Sequence, residues 1–355
     1  MFGIRIFEVH ERLSHSNTHL PEAFHKGYEL CFFAHDLAAH LLKSGCEKGI
    51  FSFAVNDIVD NVEASELIDL VEKVKSKDIL ERLPEILISK IFPAVLSDLL
   101  HYVFEALEAA RKGKLSVAFT LLRKPLQDNL FVLESIIEDE CDFSERLACT
   151  PPNFNRADDI TSHRARIASV LDRVGYADVF DANYLAQLRY DKSFADSFDG
   201  FCNKATHLIT SKSILKTSAY SLNFIFSTDL THNSQWSFLF SRLPYVLAYS
   251  SMLCEHISER FALTYPEYKD DMNRRMSALY ILNAIEHEDF LSEPLANLAL
   301  HLHQWLEAHC KASGYQEPDI ESLQRMGETG AFPGEAENKV QARFDAFESL
   351  AKLPF

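Results

Sequence analysis

Apolar residues recur every three or four positions along most of this chain, the spacing of helices that bury one face. Phe24, Tyr28, Cys31, Phe32 and Leu42 trace one side of a helix at 21–44, and Gly45 follows as its stop. The same spacing predicts helices at 64–76, 79–89 and 94–112, the last with Pro93 near its start and Gly113 at its end. A long helix at 116–140 carries Pro125 inside it, where a lost N–H and a steric clash predict a kink. Further helices are expected at 161–174, stopped by Gly175, and at 177–190, 193–210, 272–285 and 294–311. Another is expected at 243–261, with Pro244 in its first turn.

One stretch departs from that period. Residues 221–240, SLNFIFSTDLTHNSQWSFLF, hold two alternating aromatic runs around a polar centre. Period-two alternation predicts strands at 222–227 and 235–240, with Leu222, Phe224 and Phe226 on one face. The connection at 228–234 is too long for a two-residue turn, so a longer loop is implied. Two strands alone are marginal in water, and the kinked helix at 116–140 is the surface expected to support them. The fold expected is mainly α, an irregular multi-helix bundle with one inserted β-hairpin at about 222–240. The CTPPNFN loop at 149–155 marks the best internal boundary. It separates an N-terminal helical subdomain, 1–148, from a helical subdomain with the hairpin, 156–312, the two sharing a core. Residues 313–334 shift toward Gly, Pro and Glu and read as a loose connector. They lead to a C-terminal amphipathic helix carrying Val340, Phe344, Phe347 and Leu350, completing a third segment, 313–355.

Composition narrows the class. The 27 Phe and 11 Gly in 355 residues suit helices packed by large rings better than the tight turns of an all-β fold. A net charge of −17 argues against a duplex binder that relies on phosphate contacts. The region 189–216 is weakly basic by contrast, with Arg189, Lys192, Lys204, Lys212 and Lys216. Seven cysteines with no CxxC pair predict a reducing, cytoplasmic setting rather than a disulfide framework. The opening MFGIRIFEVHERLSH lacks a basic segment followed by an apolar core, so no signal peptide is read. The most apolar run, 86–107, is interrupted by Lys90, Pro93, Asp98, His101 and Glu105, so no membrane span and no membrane partner are expected.

Candidate chemistry is thin. His15/His19 and Cys31/His35 have ligand spacing on a helix, but no third ligand is fixed, and no metal or other cofactor is predicted. Glu22/His25 and Asp98/His101 imitate a di-iron pattern, yet Asp98, His101, Glu105 and Glu108 form one polar helix face. Arg5/His10, Arg12/His19 and Arg156/His163 match the Arg–His spacing of HEPN ribonucleases, where about two such pairs arise by chance. Arg156 and His163 are the most plausible of these, entering a helix after the PP loop; the plainer alternative is an exposed His163 beside a helix cap. Arg123, Lys124, Gln127 and Asp128 crowd polarity into the apolar run FTLLRKPLQDNLFVLESII. They predict either a wet edge beside the kink or an internal ion network, since a buried Arg requires a partner. Lys204 and His207 are near neighbours one turn apart and suit a base or a helix end. Arg123, Asp128, Lys204 and His207 would make a site if they shared one cleft. Walker, G-x-S-x-G and G-x-G-x-x-G motifs are missing from the sequence.

The segments RKPLQDN, KATHLIT, LNFIFS and SRLPYVLAY together resemble an uncharacterised group of bacterial, mainly helical proteins, over about 109–249. That resemblance implies a helical body with a small hairpin and supplies no activity or catalytic residue. A looser likeness to HEPN-type proteins is one of fold. The expected function is a cytoplasmic helical interaction or regulatory protein, a homodimer or other homo-oligomer with a possible protein partner. A HEPN-like protein of a defence or toxin system acting on RNA is the first alternative, and a metal-dependent helical-bundle enzyme the second.

Overall fold

The computed structural model describes residues 13–14, 18–51, 83–149, 152, 159–211 and 215–351. The helix expected at 64–76 and Arg156 lie outside them. The described chain is a packed array of helices: α1 (His25–Glu47), α2 (Leu83–Arg111), α3 (Leu115–Lys124), α4 (Leu130–Glu138), α5 (Glu140–Leu147), α6 (Ile160–Val174) and α7 (Ala182–Tyr190). Then follow α8 (Phe198–Thr206), α9 (Asp229–Ser258), α10 (Pro266–Glu286), α11 (Glu293–Ala312), α12 (Ile320–Thr329) and α13 (Glu337–Ala351). Local chemistry sets many of the ends. Asp139, Asp159, Asp181, Ser197, Thr228 and Asp319 each accept a backbone N–H as an N-cap. Gly175, at φ +76°, stops α6 as its position in the sequence predicts.

No β-strand occurs among the described residues, and the predicted hairpin at 222–240 is corrected. Its second half is the N-terminal part of α9, a single helix of 30 residues. The alternation misleads because α9 is buried all round from Gln235 to Leu247. A helix without a wet face shows no helical period, so aromatic residues at alternate positions imitate a strand. Trp236 packs on Phe24 and donates from Nε1 to Ala110 O at 2.9 Å, fixing α9 to the end of α2. Among the described residues there is no hairpin for the 116–140 helix to support; instead Phe119 of α3 packs on Phe224 and on Phe238 of α9. Pro244 lies inside α9 rather than in a first turn.

Gly45 is likewise not a stop. α1 continues past it, because the ring of Phe51 packs where a β-carbon would sit, and Gly49, at φ +67°, follows the helix end. Pro93 lies inside α2. Pro125 opens a π-turn, Pro125–Asn129, which joins α3 to α4 with one wider turn.

A single apolar core runs from Leu20 to Leu298, through both predicted helical subdomains. By length and composition α2 is apolar enough to cross a membrane, but it packs in this core against α1, α3 and α5. The stretch read as a loose connector carries α12, whose Leu323 and Met326 join a second small core with α10 and α11. Gly327 makes that approach possible, since a β-carbon there would lie 2.8 Å from Leu279 Cδ2. Along α13, Val340 and Phe347 are buried, so the amphipathic tail docks on its own chain.

Candidate functional site

The polar crowd around Pro125 divides in two. Lys124 and Asp128 are exposed, and Lys124 pairs with Asp98 at 2.8 Å. Gln127 and Asn129 are buried, the first donating to Arg189 O at 2.8 Å and the second to Val95 O at 3.1 Å. A wet edge and an internal network, foreseen as alternatives, therefore both exist, and Asn129 joins them by also donating to Asp98 Oδ2 at 2.8 Å.

The internal network centres on Glu134, a residue that sequence reasoning missed. Its carboxylate, fully buried in α4, accepts from Arg189 Nη1, from Arg166 Nε at 3.0 Å and from Tyr249 OH at 3.0 Å. Burial pushes this carboxyl up; the Arg189 and Arg166 guanidiniums overcome burial and hold it below its ordinary range. Arg189 also donates to Leu126 O at 2.6 Å and to Tyr190 OH at 2.7 Å, and Tyr190 OH donates to Gln127 O at 3.1 Å. The π-turn thus presents its carbonyls to side chains of α7. His163 stacks on Tyr190 with centroids 3.7 Å apart, and its Nδ1 lies 2.9 Å from Arg166 Nη2. The available signal was one Glu inside the apolar run LFVLESII, which demands cations if that run is core.

Of the described catalytic candidates, Arg123, Asp128, His163, Lys204 and His207, His163 enters this network, and it is 2 % exposed. Placed between Tyr190 and Arg166, its ring serves packing, which gives a nuclease site there little support. Arg123 and Lys204 are half-buried on α3 and α8, which pack together through Phe119 and Phe201. Asp128 and His207 are exposed. His303, Glu307 and Glu317 bring ligand atoms within 4.8 Å of one another at the surface, a trio that the sequence shows only as His303 and Glu307 one turn apart.

A second feature, an apolar concavity, lies elsewhere. A cleft of about 320 Å³ opens between the C-terminal half of α1, α9, α10 and α11. Its walls are mostly apolar: Leu37 and Leu41 of α1, Phe180, Leu298, Trp305, and three of the five methionines, Met252, Met272 and Met276. Methionine side chains adapt to varied apolar shapes, so such a wall suits binding. Phe347 of α13 completes it, edge-on to Tyr268 at 5.5 Å. Polar groups collect at Glu255, which pairs with Lys269 at 2.9 Å; Lys269 also holds Glu259 at 2.9 Å. Burial raises the Glu255 carboxyl, against the pull of Lys269, and burial lowers the His40 imidazole. His40 lies 3.4 Å from both Ser44 Oγ and Tyr268 OH. Ser44 and Tyr268 thus take the two ring nitrogens of His40, and the cleft can enclose an apolar molecule and give its polar end hydrogen bonds.

Arg343 fixes the tail that carries Phe347. It bonds Glu335 Oε1 at 2.8 Å and Gly330 O at 3.0 Å, and lies 2.9 Å from buried Asp271. The sequence showed the α13 stripe but not this anchor or the cleft it closes.

Comparison with protein-family models, with curated proteins and with solved structures finds no match for this chain. The residues must therefore carry the functional argument themselves.

Proposed function

We propose that this chain is a non-enzymatic regulatory protein that takes an apolar small molecule into the cleft between α1, α9, α10 and α11. The observation that carries this reading is the cleft itself: about 320 Å³, methionine- and aromatic-lined, with hydrogen-bonding groups gathered at Glu255 and His40. Phe347 of α13 adds a further wall, so occupancy would act on the docking of the C-terminal helix, a route by which binding can bias a surface seen by a partner. Every described cysteine is free, four of them buried, which supports action in a reducing compartment such as the cytoplasm.

Fluorescence of N-phenyl-1-naphthylamine, an apolar dye that brightens out of water, tests the cleft. The full chain should bind it, and Ala248→Phe, which places a ring in the cleft, should weaken binding by about tenfold or more without loss of helical signal. Equal binding by wild type and Ala248→Phe, or no binding of the dye, would overturn the reading.

A further inference from the structure

The segment between α8 and α9 carries an unusual surface. Leu208, Ile209, Tyr220, Ile225, Phe226 and Leu230 are all exposed, with Leu230 at 79 %, Ile209 at 69 % and Phe226 at 67 %. They are gathered by hydrogen bonds rather than scattered. Asn223 N donates to Leu208 O at 2.9 Å and Asn223 Nδ2 to His207 O at 2.7 Å; Thr217 N donates to Thr210 O at 2.9 Å. Leu208 and Ile209 are thereby held beside Ile225 and Phe226. Tyr220 and Phe224 have φ of +64° and +60°, a left-handed backbone that costs about 1–3 kcal/mol for each such residue. Exposed apolar tips gathered in this way call for something that covers them.

Charge selects the cover. On a chain of net −17, residues 200–228 contain no Asp or Glu, while Lys204, His207 and Lys216 flank the tips. Asp229, the first acid after this gap, lies in the first turn of α9, where the helix N-terminus offsets its charge. Upstream, Asp199 pairs with Lys192 at 3.7 Å and Asp196 with Arg242 at 2.9 Å. A second copy meeting this face in a two-fold dimer would bring a surface with the same lysines and no added acid to face Lys204 and Lys216. Protein interface centres are depleted in lysine, and a net charge of −17 disfavours a phosphate backbone as the cover. Apolar tips with Lys204 and Lys216 close by in the chain, and no acid between 200 and 228, match the interface of an anionic bilayer, whose headgroups take the charge while the tips enter the acyl boundary.

We infer that the face formed by residues 207–211 and 215–230 docks this protein peripherally on anionic lipid membranes, with Ile209, Phe226 and Leu230 inserting and Lys204 and Lys216 contacting headgroups. This departs from the expectation of no membrane partner and is independent of the cleft.

Co-sedimentation of the full chain with vesicles tests it, using phosphatidylcholine alone or with about 30 % phosphatidylglycerol. Binding is expected to the anionic vesicles and to fall as salt rises. Lys204→Gln and Lys216→Gln should each weaken it about fivefold, and Ile209→Ser with Phe226→Ser should abolish it while sizing and helical signal stay unchanged. Equal partition to both vesicle types, or none to the anionic ones, overturns the proposal. So does a wild-type dimer in solution that Phe226→Ser converts to monomer, because the tips would then be covered by a second copy.

Discussion

Asn283 Nδ2 of α10 donates to the carbonyl of Phe240 in α9 at 3.0 Å. That carbonyl would ordinarily accept the N–H four residues on, but residue 244 is proline and has none. The proline therefore creates an acceptor inside the core, and a neighbouring helix satisfies it.

The pair should be thermodynamically coupled. Asn283→Ala leaves Phe240 O buried and unpaired, an expected loss of about 1–3 kcal/mol. Pro244→Ala restores a backbone donor, so the same Asn283→Ala change should cost about 1 kcal/mol less in that background. Urea unfolding of the four proteins of the cycle measures this. Additive losses would show that Pro244 and Asn283 act independently.

Gly27 of α1 faces the same junction. A β-carbon there would lie 2.6 Å from Phe240 Cβ, which is fixed to the helix, and 2.8 Å from Asn283 Oδ1, the tip of a side chain held by its bond to Phe240 O. Gly27→Ala should destabilise by about 1–3 kcal/mol through overpacking, although alanine is the better helix former. Gly200 supplies the contrast: within α8, its β-carbon would meet nothing closer than 3.5 Å. Gly200→Ala should be neutral or stabilising by up to about 1 kcal/mol. Thermal melts that rank the two variants the other way would refute the close approach of α1 on α9.

Much of this architecture was legible in the sequence, and the failures share one cause. Helices with a wet face, such as α6 with its Gly175 stop, appear near their predicted positions because their period is visible. α9 was misread because its wet face is missing over thirteen residues, and burial on every side removes the signal. Gly45 and Gly327 carry packing information that only the neighbours Phe51 and Leu279 reveal. The candidate cleft was not legible at all. Its walls come from helices far apart in sequence, and its apolar residues have the same pattern as core. Glu134 stood in view as a lone acid, but its partners Arg166 and Arg189 lie 32 and 55 residues away.

Those partners make Glu134 a severe test of the interior. Glu134→Leu would leave two buried guanidiniums without their carboxylate, and a loss of about 3–5 kcal/mol is expected in urea unfolding. Replacing the three charges together, with Arg166→Met and Arg189→Met, should recover much of it. Recovery should stop short of wild type, because Leu126 O and Gln127 O in the π-turn depend on Arg189 and Tyr190. A single Glu134→Leu variant as stable as wild type would remove the network from any structural role.

Acid stability isolates a second carboxylate. Glu108 of α2 accepts from Tyr28 OH at 3.1 Å and from Arg111 Nη2 at 2.7 Å, with Lys112 at 3.1 Å. Burial pushes its carboxyl up, but these partners prevail and lower it to about 2. A folded-state value below the unfolded one means that the stabilisation is complete above about pH 4.5 and is lost as pH falls toward about 2. Because the site is partly reached by solvent, the contribution should be about 1–2 kcal/mol rather than the full shift. Glu108→Gln should therefore lie below wild type at neutral pH and converge on it as pH falls through that window. Unfolding midpoints measured across the range decide the matter, and a gap that stays constant with pH would assign the Glu108 effect to packing alone.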